Sequence, residues 1–193
     1  MAVILPFILI CLLFNSVSWS GQSVEDFPIR FDKIADSEYG QDRSELSNIR
    51  LGIAAYLNAG GDPVQLEKKM VSFLESYASL PAKLFVCRQL RLIATERSVE
   101  VLGPMLYKKD FSHMARIALK PVHGKKADQA FQNALQNTAG ETRIGIIQSI
   151  GKRRDAGAVS DLISIAENSN AATRQAALIA IGKIGTAESH QYL

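Results

Sequence analysis

Apolar side chains recur at helical spacing through most of the chain. Leu46, Ile49 and Ile53 share one face of a first helix that ends near Asn58 and the pair Gly60-Gly61. Asp62-Pro63 restarts the chain, aspartate as N-cap and proline at the first helical position. Leu66, Met70, Phe73 and Tyr77 form the next stripe. Pro81 opens a helix carrying Val86, Leu90, Ile93 and Ala94, and Ser98 caps one carrying Val99, Leu102 and Leu106. The second half is more regular. Phe111, Met114, Ala115 and Ala118 fit the helical spacing, as do Ala127, Ala130, Phe131 and Ala134. Val159, Leu162, Ile163 and Ala166 repeat it, then Ala177, Ala180, Ile181 and Ile184. Between them runs a helix with Ile144, Ile147 and Ile150. No segment sustains the apolar–polar alternation of a half-buried strand. The expected class is all-α, with short links that fold neighbouring helices into antiparallel hairpins.

A repeat underlies this pattern. Arg116, Arg143 and Arg174 are each followed eight residues later by a glycine: Gly124, Gly151 and Gly182. Arg88 precedes Arg116 by 28 residues, with Glu96 in place of the glycine. The clearest match pairs TRIGIIQSIGKRRD (142–155) with TRQAALIAIGKIGT (173–186). Glycine at that place is expected to end the first helix of each pair in a left-handed residue. One hairpin cannot bury its apolar face, so successive hairpins must stack into a solenoid.

The Thr-Arg…Ile-Gly-Lys pattern resembles HEAT-type repeats, in particular the short variety named after phycobilisome lyases. The resemblance covers residues 81–186, with a degenerate pair at 44–80. The stretch 83–121 and the residues after it are similar to the HEAT segments of exported bacterial proteins. In that group such segments precede a sugar-active or haem-binding module, and neither is present here. The resemblance implies an α-α superhelix of about four to five helix pairs over residues 44–193. The second helix of the last pair stops soon after Thr186, so the chain reads as the N-terminal part of a longer product or as a free-standing domain.

The N-terminus has a different character. Thirteen residues from Ala2 to Phe14 lack a polar side chain, and small residues occur at Ser18 and Ser20. This is a signal peptide over 1–20, cut between Ser20 and Gly21. The run is interrupted by Pro6 and is shorter than the roughly 20 residues of a spanning helix. An uncleaved anchor is the alternative. No Lys or Arg precedes the run, so the positive start usual in such signals is missing. Cys11 lacks the small residues that a lipoprotein cut needs before it. Residues 21–43 are mixed and weakly periodic, and read as an extended leader or linker. The expected address is periplasmic or extracellular, with no stable membrane insertion after cleavage.

Composition narrows the chemistry. The 193 residues are 47% hydrophobic, with a net charge of +3, too small a surplus to imply nucleic acid. After export only Cys87 remains, in an apolar helical stretch, and burial is expected for it. Three histidines (His113, His123, His190) make no metal constellation, and Asp110 beside His113 does not supply one. No nucleophile elbow, phosphate loop or haem-attachment motif occurs. The sequence therefore nominates no catalytic, cofactor or metal residue. Lys108-Lys109, Lys125-Lys126 and Lys152-Arg153-Arg154 lie at predicted helix ends, where solvated cations complement the helix dipole. The four spaced arginines are expected to satisfy carbonyls of neighbouring repeats.

Together these features point to an exported scaffold that binds another protein, or a downstream domain of the same chain, without catalysis of its own. If second helices line the binding face, its polar positions are Gln129, Gln132, Gln136, Asp161, Ser164 and Asn168. Bulky residues at Gln132 and Asp161 are then expected to weaken capture at unchanged melting temperature. Two alternatives are an accessory segment of a larger exported enzyme and a lyase like those that share these repeats. A lyase needs a tetrapyrrole pocket, which the sparse aromatics do little to supply.

Overall fold

The structure, a computed structural model, describes residues 28–193. The predicted signal peptide and its cut at Ser20-Gly21 lie outside the described residues. Ten α-helices occur among the described residues, and no strand. They are α1 (Ser44–Asn58), α2 (Pro63–Glu75), α3 (Leu80–Leu90), α4 (Val99–Met105) and α5 (Lys109–Leu119). The others are α6 (Lys125–Gln136), α7 (Gly140–Arg153), α8 (Val159–Asn168), α9 (Ala171–Ile184) and α10 (Ala187–Tyr192).

Local chemistry sets many of the starts. Asp62 Oδ1 accepts from the Val64 amide at 2.8 Å with Pro63 behind it, as its sequence predicts. Ser79, Asn170 and Thr186 cap α3, α9 and α10 in the same way. Such a cap satisfies a donor that the helix itself cannot, and is worth about 1 kcal/mol.

From α2 onward the helices form two rows. In one, α3, α5, α7 and α9 pack side by side; α2, α4 and α6 do so in the other, which continues through α8 and α10. Links across the rows join α2 to α3, α4 to α5, α6 to α7 and α8 to α9. This is the α-α solenoid expected. Its core is continuous between the rows and contains Leu66, Met70, Leu90, Leu102, Leu119, Phe131, Leu135, Ile146 and Ile147, all fully buried.

Three local expectations change. The described end of the 21–43 leader is not an extended linker. Phe31–Ile34 forms a 3-10 turn, and Ile29, Phe31 and Ile34 are buried. The Phe31 ring lies 5.8 Å from that of Phe73. The Ser79 amide and hydroxyl bond to the Ala35 and Ser37 carbonyls at 2.7 and 2.6 Å, tying this segment to the start of α3. It covers the apolar face that α1 and α2 would otherwise leave open. Secondly, Tyr77 lies off its stripe. Helix α2 ends at Glu75, the chain turns extended at Ser76, and Tyr77 is fully exposed.

Thirdly, the repeat glycines do not end their helices. Gly151 and Gly182 lie inside α7 and α9, and the left-handed residues come three positions later. These are Arg154 (φ 56°) and Gly185 (φ 67°), which occupy matching places in the internal repeat. Gly151 serves packing instead. A Cβ on it would lie 2.8 Å from the Ala180 Cα, so it lets α7 and α9 approach backbone to backbone. Of the three glycines only Gly124 lies outside a helix. It has φ 118° before α6, where a Cβ would overlap the Glu96 carboxylate.

Candidate functional site

An open groove of about 680 Å³ lies between α4 and α6, in the middle of the second row. Its position is fixed from below by a buried carboxylate. Glu67 on α2 is 1% exposed. Its Oε1 accepts from the Thr95 amide at 2.7 Å and from the Ser98 hydroxyl at 2.6 Å. The Thr95 hydroxyl donates to the same carboxylate at 2.9 Å. A buried charge is tolerated when its lone pairs are filled in this way. The bonds hold the Glu96–Ser98 3-10 turn that launches α4. Ser98 does precede α4 as predicted, but its hydroxyl serves Glu67 and caps nothing.

Small residues then open the groove. Gly103 of α4 faces Ala130 of α6 closely enough that a Cβ on it would meet the Ala130 methyl at 3.7 Å. Tyr107, 40% exposed, stands at the rim beside Pro104. On the α6 side Gln129 and Asn133 line the groove, joined to each other by a 3.1 Å amide bond. Glu96, Arg97, Glu100 and Lys126 also line it. The arrangement offers an apolar slot for a side chain and amides that can bond a main chain.

The six polar positions predicted from sequence divide between α6 and α8. Gln129 lines the groove, and Gln136 is exposed one face along. Gln132 is half-buried, and its amide donates to Asp155 at 2.9 Å, joining α6 to the turn before α8. It is a fold contact as well as a surface one, so a bulky residue there would also disturb stability. Asp161 is half-buried on α8, while Ser164 and Asn168 are exposed. The Asn168 amide turns back to the Ser164 carbonyl at 2.9 Å. The structure thus brings one of the six into the groove. The α4 side, with Gly103, Pro104 and Tyr107, was not anticipated. Its only sequence signal is a Gly-Pro pair inside a short apolar helix.

The cationic residues also sort themselves. Arg153 is not a solvated helix-end cation. Its side chain is 5% exposed and pairs with Asp128 on α6. It donates to the carbonyls of Leu119, Lys120 and Val122 at 2.9, 3.0 and 2.6 Å. Its guanidinium also lies 5.2 Å from the centre of the Phe131 ring. Those carbonyls lie at and just after the end of α5, where only the Leu119 carbonyl has a backbone donor, the Val122 amide at 3.0 Å. Two of the four spaced arginines bond carbonyls as expected. Arg116 donates to Gly145 at 3.1 Å on the next first-row helix, and Arg174 to Ala166 at 2.9 Å on α8. Arg88 is exposed, and the Arg143 Nε is buried without a partner.

Cys87 is fully buried as expected, and burial pushes its thiol up to about 12. His113 and Asp110 are exposed on α5. No group of three metal-ligating side chains occurs among the described residues, and no described helix is long and apolar enough to cross a membrane.

Residues 128–193 match a family described as HEAT repeats. The match opens within α6 and takes in the stacked hairpins α7–α8 and α9–α10. No curated protein and no solved structure matches the chain significantly. The paired helices, the two-row stacking and the internal repeat agree with that match: the chain carries HEAT repeats through residues 128–193.

Proposed function

We propose that the chain is an exported scaffold whose second helix row docks another protein, the groove between α4 and α6 being its anchor point. In this reading the chain performs no chemistry itself. The observation that carries it is the groove: a slot floored by Gly103 and Ala130, left open by the described side chains and flanked by the amides of Gln129 and Asn133. Solenoids bind through extended surfaces of this kind. A partner segment with one apolar anchor and a main chain within reach of those two amides fits it. Export rests on the apolar run Ala2–Phe14 and the small residues at Ser18 and Ser20.

A photo-crosslinking residue at Gln129 or Asn133 tests the docking in the producing cell. A discrete protein adduct is expected at both. None is expected at Ile179, which is half-exposed on the other row. Gln129→Trp, which fills the slot from an exposed position, should abolish the Asn133 adduct at unchanged melting temperature. Equal adducts at Ile179, or none in the groove, would remove the proposal. Fractionation with N-terminal sequencing tests export separately, and a mature chain beginning at Gly21 is expected.

A further inference from the structure

The two helix rows differ in charge. Helices α3, α5, α7 and α9 carry nine Lys and Arg against two carboxylates, Asp110 and Glu141. In the other row α2, α4, α6, α8 and α10 carry four Lys against seven Asp and Glu. A net charge of +3 conceals this, because the rows oppose each other. The cations of the first row are not spread evenly. Arg91, His113, Arg116, Lys120 and Lys152 converge with Ser149 around one cavity of about 290 Å³ where α3, α5 and α7 meet. Its described lining contains no Asp or Glu.

The centre of that cluster is built. Arg116 is half-buried, and its guanidinium lies across α7 where Gly145 has no side chain. A Cβ on Gly145 would sit 2.5 Å from the guanidinium carbon. One Arg116 nitrogen donates to the Gly145 carbonyl, which also accepts from the Ser149 hydroxyl at 2.9 Å. A second lies 3.4 Å from His113 Nδ1, and Nε has no partner among the described residues. Burial pulls the guanidinium pKa below its usual value. Among the described residues no carboxylate pairs with this cation, in contrast to Arg153, which holds Asp128.

We infer that the cavity around Arg116 is a binding site for a multiply charged oxyanion, a phosphate monoester or pyrophosphate group. The four Arg and Lys side chains exceed what a single carboxylate can balance, whereas a phosphate ester carries close to two charges and three acceptor oxygens. The planar guanidinium offers a fork for two of those oxygens, and Lys120 and Lys152 supply point charges from either side. The wider excess of positive charge along the row steers such a ligand inward. The site is on the opposite row from the protein-docking groove, so each stands or falls alone.

Calorimetric titration of the mature chain with pyrophosphate is the test. Saturable binding of one equivalent is expected. Lys120→Gln with Lys152→Gln should weaken it about tenfold or more, since two charge-assisted contacts at a partly exposed site are lost. Both lysines are exposed, and thermal melting should show the fold intact. Lys68→Gln with Lys125→Gln makes the same charge change on the other row and should leave affinity within about twofold. Vesicles of phosphatidylcholine and phosphatidic acid in equal parts distinguish the phosphate's source. Sedimentation with them that pyrophosphate reverses indicates a lipid headgroup, and pyrophosphate binding without sedimentation indicates a soluble phosphate. Absence of pyrophosphate binding, or equal losses in the two double variants, would overturn the assignment.

Discussion

Gly151 and Gly182 stand at the same place in the internal repeat, yet alanine should act on them with opposite sign. In a helix interior glycine is about 1 kcal/mol less favourable than alanine, and both sites share that gain. At Gly182 a new methyl meets only the end of Leu193 at 3.5 Å, an ordinary contact. Gly182→Ala should therefore stabilise by about 0.5–1 kcal/mol. At Gly151 the methyl arrives 2.8 Å from a backbone atom, the Ala180 Cα, and 2.9 Å from its Cβ. Restoring an ordinary carbon–carbon distance requires α7 and α9 to part by about 0.7–1.2 Å. Overpacking of this kind costs about 1–3 kcal/mol, and the rest of the α7–α9 seam loosens with it. Contact with rigid backbone takes the upper part of that range, about 2–3 kcal/mol, so after the propensity gain of about 1 kcal/mol Gly151→Ala should be destabilised by about 1–2 kcal/mol. For a chain of this size each kcal/mol moves the melting midpoint by about 2–4 °C. Urea and thermal unfolding followed by circular dichroism read both variants. If Gly151→Ala is as stable as the parent, or if Gly182→Ala loses as much as Gly151→Ala, the packing role of Gly151 is wrong.

Arg153→Met leaves Asp128 unpaired and the Lys120 and Val122 carbonyls without their donor, so a loss of about 2–4 kcal/mol is expected in urea unfolding. Arg153→Lys should recover only a minor part, because one ammonium cannot reach Asp128 and all three carbonyls. Glu67→Gln replaces an acceptor-only group by one whose amide opposes the Thr95 amide. Hydrogen exchange at Thr95 should accelerate about tenfold or more, with a stability loss of about 1–3 kcal/mol. The buried Cys87 thiol should resist alkylation at pH 8 in the folded chain and react on unfolding, as peptide mass mapping would show. Its folded pKa of about 12 exceeds the usual thiol value of 9.0, so the folded state binds this proton more tightly. Stability from this group is intact below pH 9 and falls between pH 9 and 12, a slope that Cys87→Ala should flatten.

The helices were readable because each buries one face, and burial writes a 3.6-residue period into the sequence. Asp62-Pro63 carried its own start signal in two letters. The misreadings share a cause: each needed knowledge of a neighbour distant in sequence. Arg153 sits between two other cations and looks solvated, while its partner Asp128 is 25 residues earlier. Gly151 looked like a helix end because the Ala180 backbone that demands it lies on another helix. Ile29, Phe31 and Ile34 keep no helical period, since a 3-10 turn and its flank carry them. The groove between α4 and α6 was half legible. Gln129 was marked by its polar face on α6, but nothing in the short α4 stretch announces that Gly103 and Pro104 face it. The basic cavity was visible only as an arginine ladder. Its convergence with Lys120 and Lys152 depends on how far α5 and α7 are rotated against each other.

The clamp at Arg153 also bears on how the chain comes apart. In a stack of repeats each unit touches only its neighbours, so unfolding can begin at one end and stop at any boundary. Arg153 removes one such stopping place. It belongs to α7, holds the acid of α6 and closes the carboxyl end of α5. None of the three helices can leave without breaking bonds that serve the other two. The segment from α5 to α7 should therefore open as a single cooperative block, and a protease would find its first sites outside it.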